Sequence, residues 1–184
     1  MNRRAVALIA LAAAIFIAVP ARSGDRSLEY AVKATFLYKF ATFVDWPPGT
    51  FEGEASPFNL CVVGADPYGG RIAQAVAGQT VGKHPIVLRQ LTKADASSNC
   101  HAMFVAGSGS QDVGEALRAV AGTPTLTVTD SAFSQEAGIV HFVIADERVS
   151  FDIDNVAATR NHLVISSKLL SLARRVNTER GTMR

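Results

Sequence analysis

The sequence is poor in the residues that usually advertise chemistry. Two cysteines, Cys61 and Cys100, one tryptophan and four scattered histidines, His84, His101, His141 and His162, occur in 184 residues. No C-x-x-C or H-x-x-x-H spacing exists, which removes the common zinc and dithiol signatures. No G-x-S-x-G is present, so the serine-hydrolase elbow is missing. His101 adjoins Cys100, but neighbouring residues on a strand point to opposite faces, so the two do not form a ready thiol–imidazole dyad. There is no block of like charge and no basic stripe interleaved with aromatics, which argues against nucleic acid as a partner. No internal repeat and no long linker divides the chain.

The glycine-rich turns are also incomplete. Gly107-Ser-Gly-Ser110 lies between an apolar run and a helical stretch, where backbone N–H groups could face an anion. Position 112 is aspartate rather than the third glycine of G-x-G-x-x-G, and its charge would repel a phosphate. Gly64 and Gly69 are followed by Gly70-Arg71, not by the Lys-Ser/Thr of a P-loop. Asp152 and Asp154 share one face of a predicted strand, but calcium needs more oxygen ligands than two carboxylates supply. A solvated hairpin face accounts for them, and no metal or cofactor is expected.

What is present begins at the N-terminus. Arg3-Arg4 precede an unbroken apolar and small-residue run, Ala5 to Val19, which Pro20 ends before the polar Arg22-Ser-Gly-Asp25. Charge, apolar core and small residues at the cut are the order of a secretory signal, with cleavage after Ala21. The run is shorter than the ~20 apolar residues of a spanning helix. No cysteine lies near the cut for lipid attachment. Residues 1–21 are therefore read as a signal peptide and 22–184 as one domain. Losing Arg3 and Arg4 lowers the 18 bases to the number of acids, 16, so the mature chain is close to neutral. An oxidising compartment permits a disulfide, but spacing alone leaves a Cys61–Cys100 bridge and two separate buried thiols equally open.

The rest reads as α/β. Leu28, Val32, Phe36, Phe40 and Phe43 recur at helical spacing and predict a helix from Leu28 to about Val44, capped by Ser27 and stopped by Pro47-Pro48. Apolar runs at 58–63, 81–91, 101–106 and 123–129 alternate with helical stretches at 71–77 and 111–120, which argues a largely parallel sheet flanked by helices. Residues 138–145 and 148–153 predict an antiparallel hairpin near the C-terminus. A helix from about 154 to 160, a short strand at 163–165, and a last helix from Ser166 or Ser167 to about Val176 complete the expectation, with Arg174 and Arg175 near that helix's end and a frayed tail from Asn177.

Six aromatics, Tyr30, Phe36, Tyr38, Phe40, Phe43 and Trp46, crowd the first segment. One helix face buries about 100° of arc, and these residues cover more. Either the helix is buried on two sides within the domain, or Phe36, Phe40, Phe43 and Trp46 form a dimer or partner face.

The same stretch, Tyr30-Ala-Val-Lys-Ala-Thr-Phe-Leu-Tyr-Lys-Phe40 followed by Phe43-Val-Asp-Trp-Pro47, resembles the opening motif of the YfiR family. Leu60–Gly69, Cys100–Val105, Leu126–Asp130, Gly138–Phe142 and Ile165–Arg174 resemble later family motifs in the same order. The resemblance implies a periplasmic, non-enzymatic regulator that restrains a membrane-bound diguanylate cyclase of the YfiN type. It also implies a homodimer and an outer-membrane lipoprotein of the YfiB type as a further partner. It implies a disulfide between Cys61 and Cys100. A second, C-terminal cysteine pair known in the family has no counterpart, since no cysteine follows Cys100. The alternative reading is a periplasmic sensor domain with a small ligand held by Ser108, Ser110, Asn161, Ser166 and Lys168.

Overall fold

The computed structural model describes residues 23–179 and 181–183; the expected signal peptide lies outside them. The first helix, α1, runs Ser23–Ala41. Its inward stripe is Lys33, Ala34, Leu37, Tyr38 and Ala41, all buried, at the three- and four-residue spacing one helix face requires. The helix starts earlier than the sequence suggests, so Ser27 lies inside it rather than capping it. The Ser27 hydroxyl instead accepts a hydrogen bond from Arg71 Nη2 at 2.9 Å. The helix also ends earlier, before the prolines. Phe43 N–H reaches back only to Phe40 O, and Thr42 caps Lys39 O through both its N–H and its hydroxyl. That tight turn frees β1, Val44–Asp45, to pair antiparallel with β9, Val164–Ile165, in a separate two-stranded sheet.

The main sheet is built from β2 (Phe58–Gly64), β4 (His84–Leu91), β5 (Ala102–Gly107), β6 (Leu126–Asp130) and β7 (Val140–Ala145), mutually parallel in the order β4-β2-β5-β6-β7. Helix α2, Arg71–Val76, lies in the connection from β2, and α3, Val113–Ala119, joins β5 to β6. Strand β3, Thr80–Val81, turns back through Gly82-Lys83 to pair antiparallel with β4. The stretch 81–91, expected as one strand, is thus a small hairpin whose second arm is the parallel strand. Strand β8, Arg148–Asp154, forms the expected antiparallel hairpin with β7.

The C-terminal end departs most from expectation. Helix α4 spans Asn155–Arg160, capped by Asp154, whose carboxylate accepts the Ala157 N–H. Helix α5 spans only Ser167–Leu172. Arg174 and Arg175 do not complement a helix end. Arg174 Nε instead donates to Asp152 at 2.8 Å, and Arg175–Thr178 is β10, parallel to β8. The expected frayed tail closes with β11, Gly181–Met183, antiparallel to β10. Asp152 and Asp154 are thereby each committed, one to Arg174 and one to a helix cap.

Apolar cover on both faces explains why the central strands read as continuous apolar runs. Leu60, Val62, Phe104, Val128 and Phe142 join the core under α1, whereas Cys61, Val63, Met103 and Val105 join a second cluster under α3 with Val113, Ala116 and Val120. The alternation along β2 is the period-two pleat. It places Cys61 on the α3 side, where Cys100 bonds to it with the Cα atoms 5.9 Å apart.

Candidate functional site

The strand order fixes where a site can form. The chain leaves β2 for β4 on one side, then crosses back to β5 on the other, so the connections diverge at the carboxyl ends of β2 and β5. In open parallel sheets a crevice opens at that switch point. An open cleft of about 1030 Å³ lies there. Its floor is the ends of β2, β4 and β5, its wall is the first turn of α3, and its rim is the 133–136 turn.

The local chemistry makes these walls firm. Gly64 and Gly107 both have positive φ, and a Cβ on Gly64 would collide with the Gly107 carbonyl oxygen, so only glycine lets the two strand ends approach this closely. Gln90 Nε2 donates to Gly64 O across the β4 side. The Ser108 and Ser110 hydroxyls both donate to Thr92 O, at 2.9 and 3.3 Å. Gln111 grips the Ala94 backbone through both amide atoms. Asp112 caps α3 by accepting the Glu115 N–H at 2.7 Å, and Glu115 returns the bond to the Asp112 N–H, a capping box. The strand-to-helix turn at Gly107–Ser110 is therefore fastened to its own neighbours, as a structural turn is.

Beside the cleft, the carboxyl end of β6 carries a buried charge cluster that pattern reading missed. Lys33 Nζ, fully buried, lies 2.8 Å from Asp130 Oδ2 and 2.6 Å from Glu29 Oε1. The Tyr68 hydroxyl donates to the same Asp130 oxygen at 2.7 Å. Burial, and then the adjoining Asp130 charge, push the Tyr68 phenol far above its ordinary range, so it stays a donor. Asp66 positions Tyr68 by accepting the Tyr68 and Gly70 N–H groups. The Tyr30 ring packs on Tyr68 with centroids 5.0 Å apart, and Phe133 touches both rings from the cleft rim. Two signals in the sequence mark this cluster: a lysine on the buried arc of a helix, and an aspartate closing the apolar run Leu-Thr-Val-Thr-Asp130.

The expected contact aromatics divide. Phe40 is buried, packed on Phe142 and Phe151, and Phe36 lies half-buried against the same rings. Trp46 is half-buried, donating Nε1 to Pro124 O and meeting Phe58 edge-on. Phe43 is half-buried with the Lys168 ammonium 5.6 Å from its ring. Lys168 stands one helical turn from the exposed Leu172, and β9 beside them exposes Val164.

The five residues of the ligand alternative are not brought together. Ser108 and Ser110 flank the cleft. Buried Asn161 ties Gly122 to Thr125 at the opposite end of β6, and Ser166 caps α5. Among the described residues no group of His, Cys, Asp or Glu could hold a metal, and no helix is long and apolar enough to cross a membrane.

A second aromatic stack has a pH consequence. Phe51 lies flat between His84 and His101, with ring centroids 3.9 and 4.6 Å away. His101 Nδ1 accepts the Asn59 N–H at 2.8 Å, which leaves its proton on Nε2, facing Thr50 O. Burial holds its pKa below the ordinary value; the Thr50 carbonyl opposes this and His84 adds to it. As pH falls through the ordinary histidine value of ~6.5 toward the folded one, the unfolded chain takes up a proton that the folded chain refuses. Stability is therefore full above ~6.5 and declines below it, with a slope from this group of at most about 1.4 kcal/mol per pH unit. Urea midpoints measured from pH 7.5 to 5 should fall for the parent and fall less for His101→Gln. An equal fall in both would remove His101 as the cause.

A parallel β4-β2-β5-β6-β7 core, closed by an antiparallel hairpin and opened by a cleft at its switch point, defines a single compact α/β domain. The chain belongs to the YfiR/HmsC-like family, whose model matches residues 30–174. Comparison with curated proteins finds no match.

Proposed function

We propose that this protein is an exported, non-enzymatic regulator. It acts in the periplasm as a homodimer that binds and restrains a membrane-bound diguanylate cyclase of the YfiN type, lowering cyclic-di-GMP and biofilm formation. An outer-membrane lipoprotein of the YfiB type would relieve that restraint. The observation that carries the reading is the family match over residues 30–174. The Cys61–Cys100 disulfide supports an oxidising compartment.

We place the partner contact at Phe43, Val164 and Leu172, with Lys168 at its edge. Val164 and Leu172 are each 63% exposed, and apolar side chains that stand this far into water gain most from a partner. The tagged protein, recovered from the periplasm with solubilised membranes, should bring down a membrane cyclase with a periplasmic part. Deleting its gene should raise cyclic-di-GMP several-fold. Val164→Glu with Leu172→Glu should leave the melting temperature unchanged while cutting partner recovery about tenfold or more, the loss of a modest hot spot. Unchanged cyclic-di-GMP on deletion would sink the regulator reading. Unchanged recovery with the double variant would move the contact elsewhere.

A further inference from the structure

We infer that the cleft at the carboxyl ends of β2, β4 and β5 is a binding site for a small organic cation with an apolar or aromatic body. The inference goes beyond the regulator reading and does not depend on it.

The cavity itself carries the argument. At about 1030 Å³ it has the capacity of a small-molecule site. It lies where divergent connections open a parallel sheet, the place at which ligands bind in open α/β sheets. Its walls are held by the Ser108, Ser110 and Gln111 bonds to the 92–94 backbone, so the cleft is already formed. A preformed site loses little ordering entropy on binding.

The lining then selects the ligand. Leu91, Ala106 and Val113 supply an apolar floor, and Phe133, 39% exposed, stands at the rim as the one aromatic group facing the space. Its ring is held at the rim by Tyr30 and Tyr68, with centroids 6.4 and 6.1 Å away, and an aromatic ring there can meet a cation or a second ring. The ionisable residues in the lining are both acids, Asp112 and Glu136. Asp112 is engaged at the α3 cap. Among the described residues the Glu136 carboxylate has no hydrogen-bond or ion-pair partner, and its backbone N–H donates to the Ser134 hydroxyl. Its Cδ lies 3.5 Å from where a Cβ on Gly114 would stand, which places it over the first turn of α3; Arg118 Nη1 approaches the same point from outside the lining without pairing to Glu136. An anion would meet two like charges, and a neutral polar solute would find the Ser108 hydroxyl engaged with Thr92 O and the Ser134 hydroxyl accepting the Glu136 N–H. An ammonium on an apolar body satisfies Glu136, Phe133 and the floor together.

The test uses phenethylamine and phenylacetate, which share a ring and differ in charge, titrated into the exported protein and followed by amide NMR shifts. Phenethylamine should give saturable shifts centred on Gly64, Gly107–Ser110 and Phe133–Glu136, and phenylacetate should bind several-fold more weakly. Glu136→Gln should weaken phenethylamine about two- to fivefold, the range of one exposed charge contact, with the melting temperature unchanged because the carboxylate has no partner to lose. Phe133→Ala should weaken both probes. Absence of saturable shifts at those amides, equal binding of the anion, or unchanged affinity in Glu136→Gln would each overturn the assignment. None of these outcomes involves the cyclase, so failure here leaves the regulator reading standing.

Discussion

Lys33→Met should cost the domain about 3–5 kcal/mol, the penalty for removing one partner of a buried ion pair. The Lys33 and Asp130 side chains are both fully buried, with 2.8 Å between Nζ and Oδ2. Without the ammonium, Asp130 keeps its bonds from Tyr68 OH and the Ala132 N–H. It loses its buried countercharge. Methionine fills the same volume along α1, so the loss is electrostatic rather than a cavity. The control is Glu29→Gln. Glu29 is a quarter exposed, 26%, so removing its charge should cost under ~1 kcal/mol. A second control is the pair Lys33→Met with Asp130→Asn. The amide keeps an oxygen for Tyr68 and Ala132 while removing the orphan charge, so the double variant should recover a large share of the loss. Urea midpoints of the parent, Lys33→Met, Asp130→Asn and the double variant close a double-mutant cycle. A Lys33→Met variant within 1 kcal/mol of the parent, or a double variant no better than the single, would show that the pair does not hold α1 to the sheet.

That cluster also marks the boundary of what the residue pattern revealed. Strands β2 and β5 were legible because each is apolar on both faces and ends in glycine. The hairpin at 140–154 was legible because its turn is polar and its alternation clean. Family resemblance added the disulfide pairing, which spacing could not decide. The element ends were misread where tertiary contacts overrode local signals. Ser27 looks like a cap, yet it serves Arg71. Pro47-Pro48 looks like the stop of α1, yet a turn at Ala41–Phe43 ends the helix first so that Val44 can pair with Ile165. Arg174 and Arg175 look like helix-end charges, yet Asp152 draws the chain out into β10. The cleft was half visible: Gly107–Ser110 drew attention as a turn, but its partners Thr92, Phe133 and Glu136 come from segments that only the strand order brings together. Periodicity ranks charged residues as surface, which is why Lys33 and Asp130 were passed over although both sit at apolar positions of their elements.

The Cys61–Cys100 bridge should prove a staple rather than a switch. It joins β2 to the residue leading into β5 and closes a loop with a sequence separation of 39, which holds α2, β3 and β4. In the chain-entropy model a loop of that length is worth about 4 kcal/mol. Cys61→Ala with Cys100→Ala should lower stability by about that amount, less whatever residual structure the unfolded chain retains. Alanine is the right replacement because Cys61 packs among Val63, Met103 and Ala94, where a serine hydroxyl would add its own desolvation cost. Mild reductant should do much less than mutation. Cys61 is fully buried and Cys100 is 6% exposed, so a thiolate reaches the bond only when β2 and β5 part, and reduction should proceed at the rate of unfolding. A domain built this way keeps its fold under mild reducing conditions and fails only when heat or denaturant opens the sheet. Reduction in native buffer that runs much faster than unfolding, measured by thiol alkylation against the unfolding rate, would show that the folded protein exposes the bridge and would overturn the staple. A double alanine variant as stable as the parent would show that the β2–β5 pairing holds this end of the sheet without it.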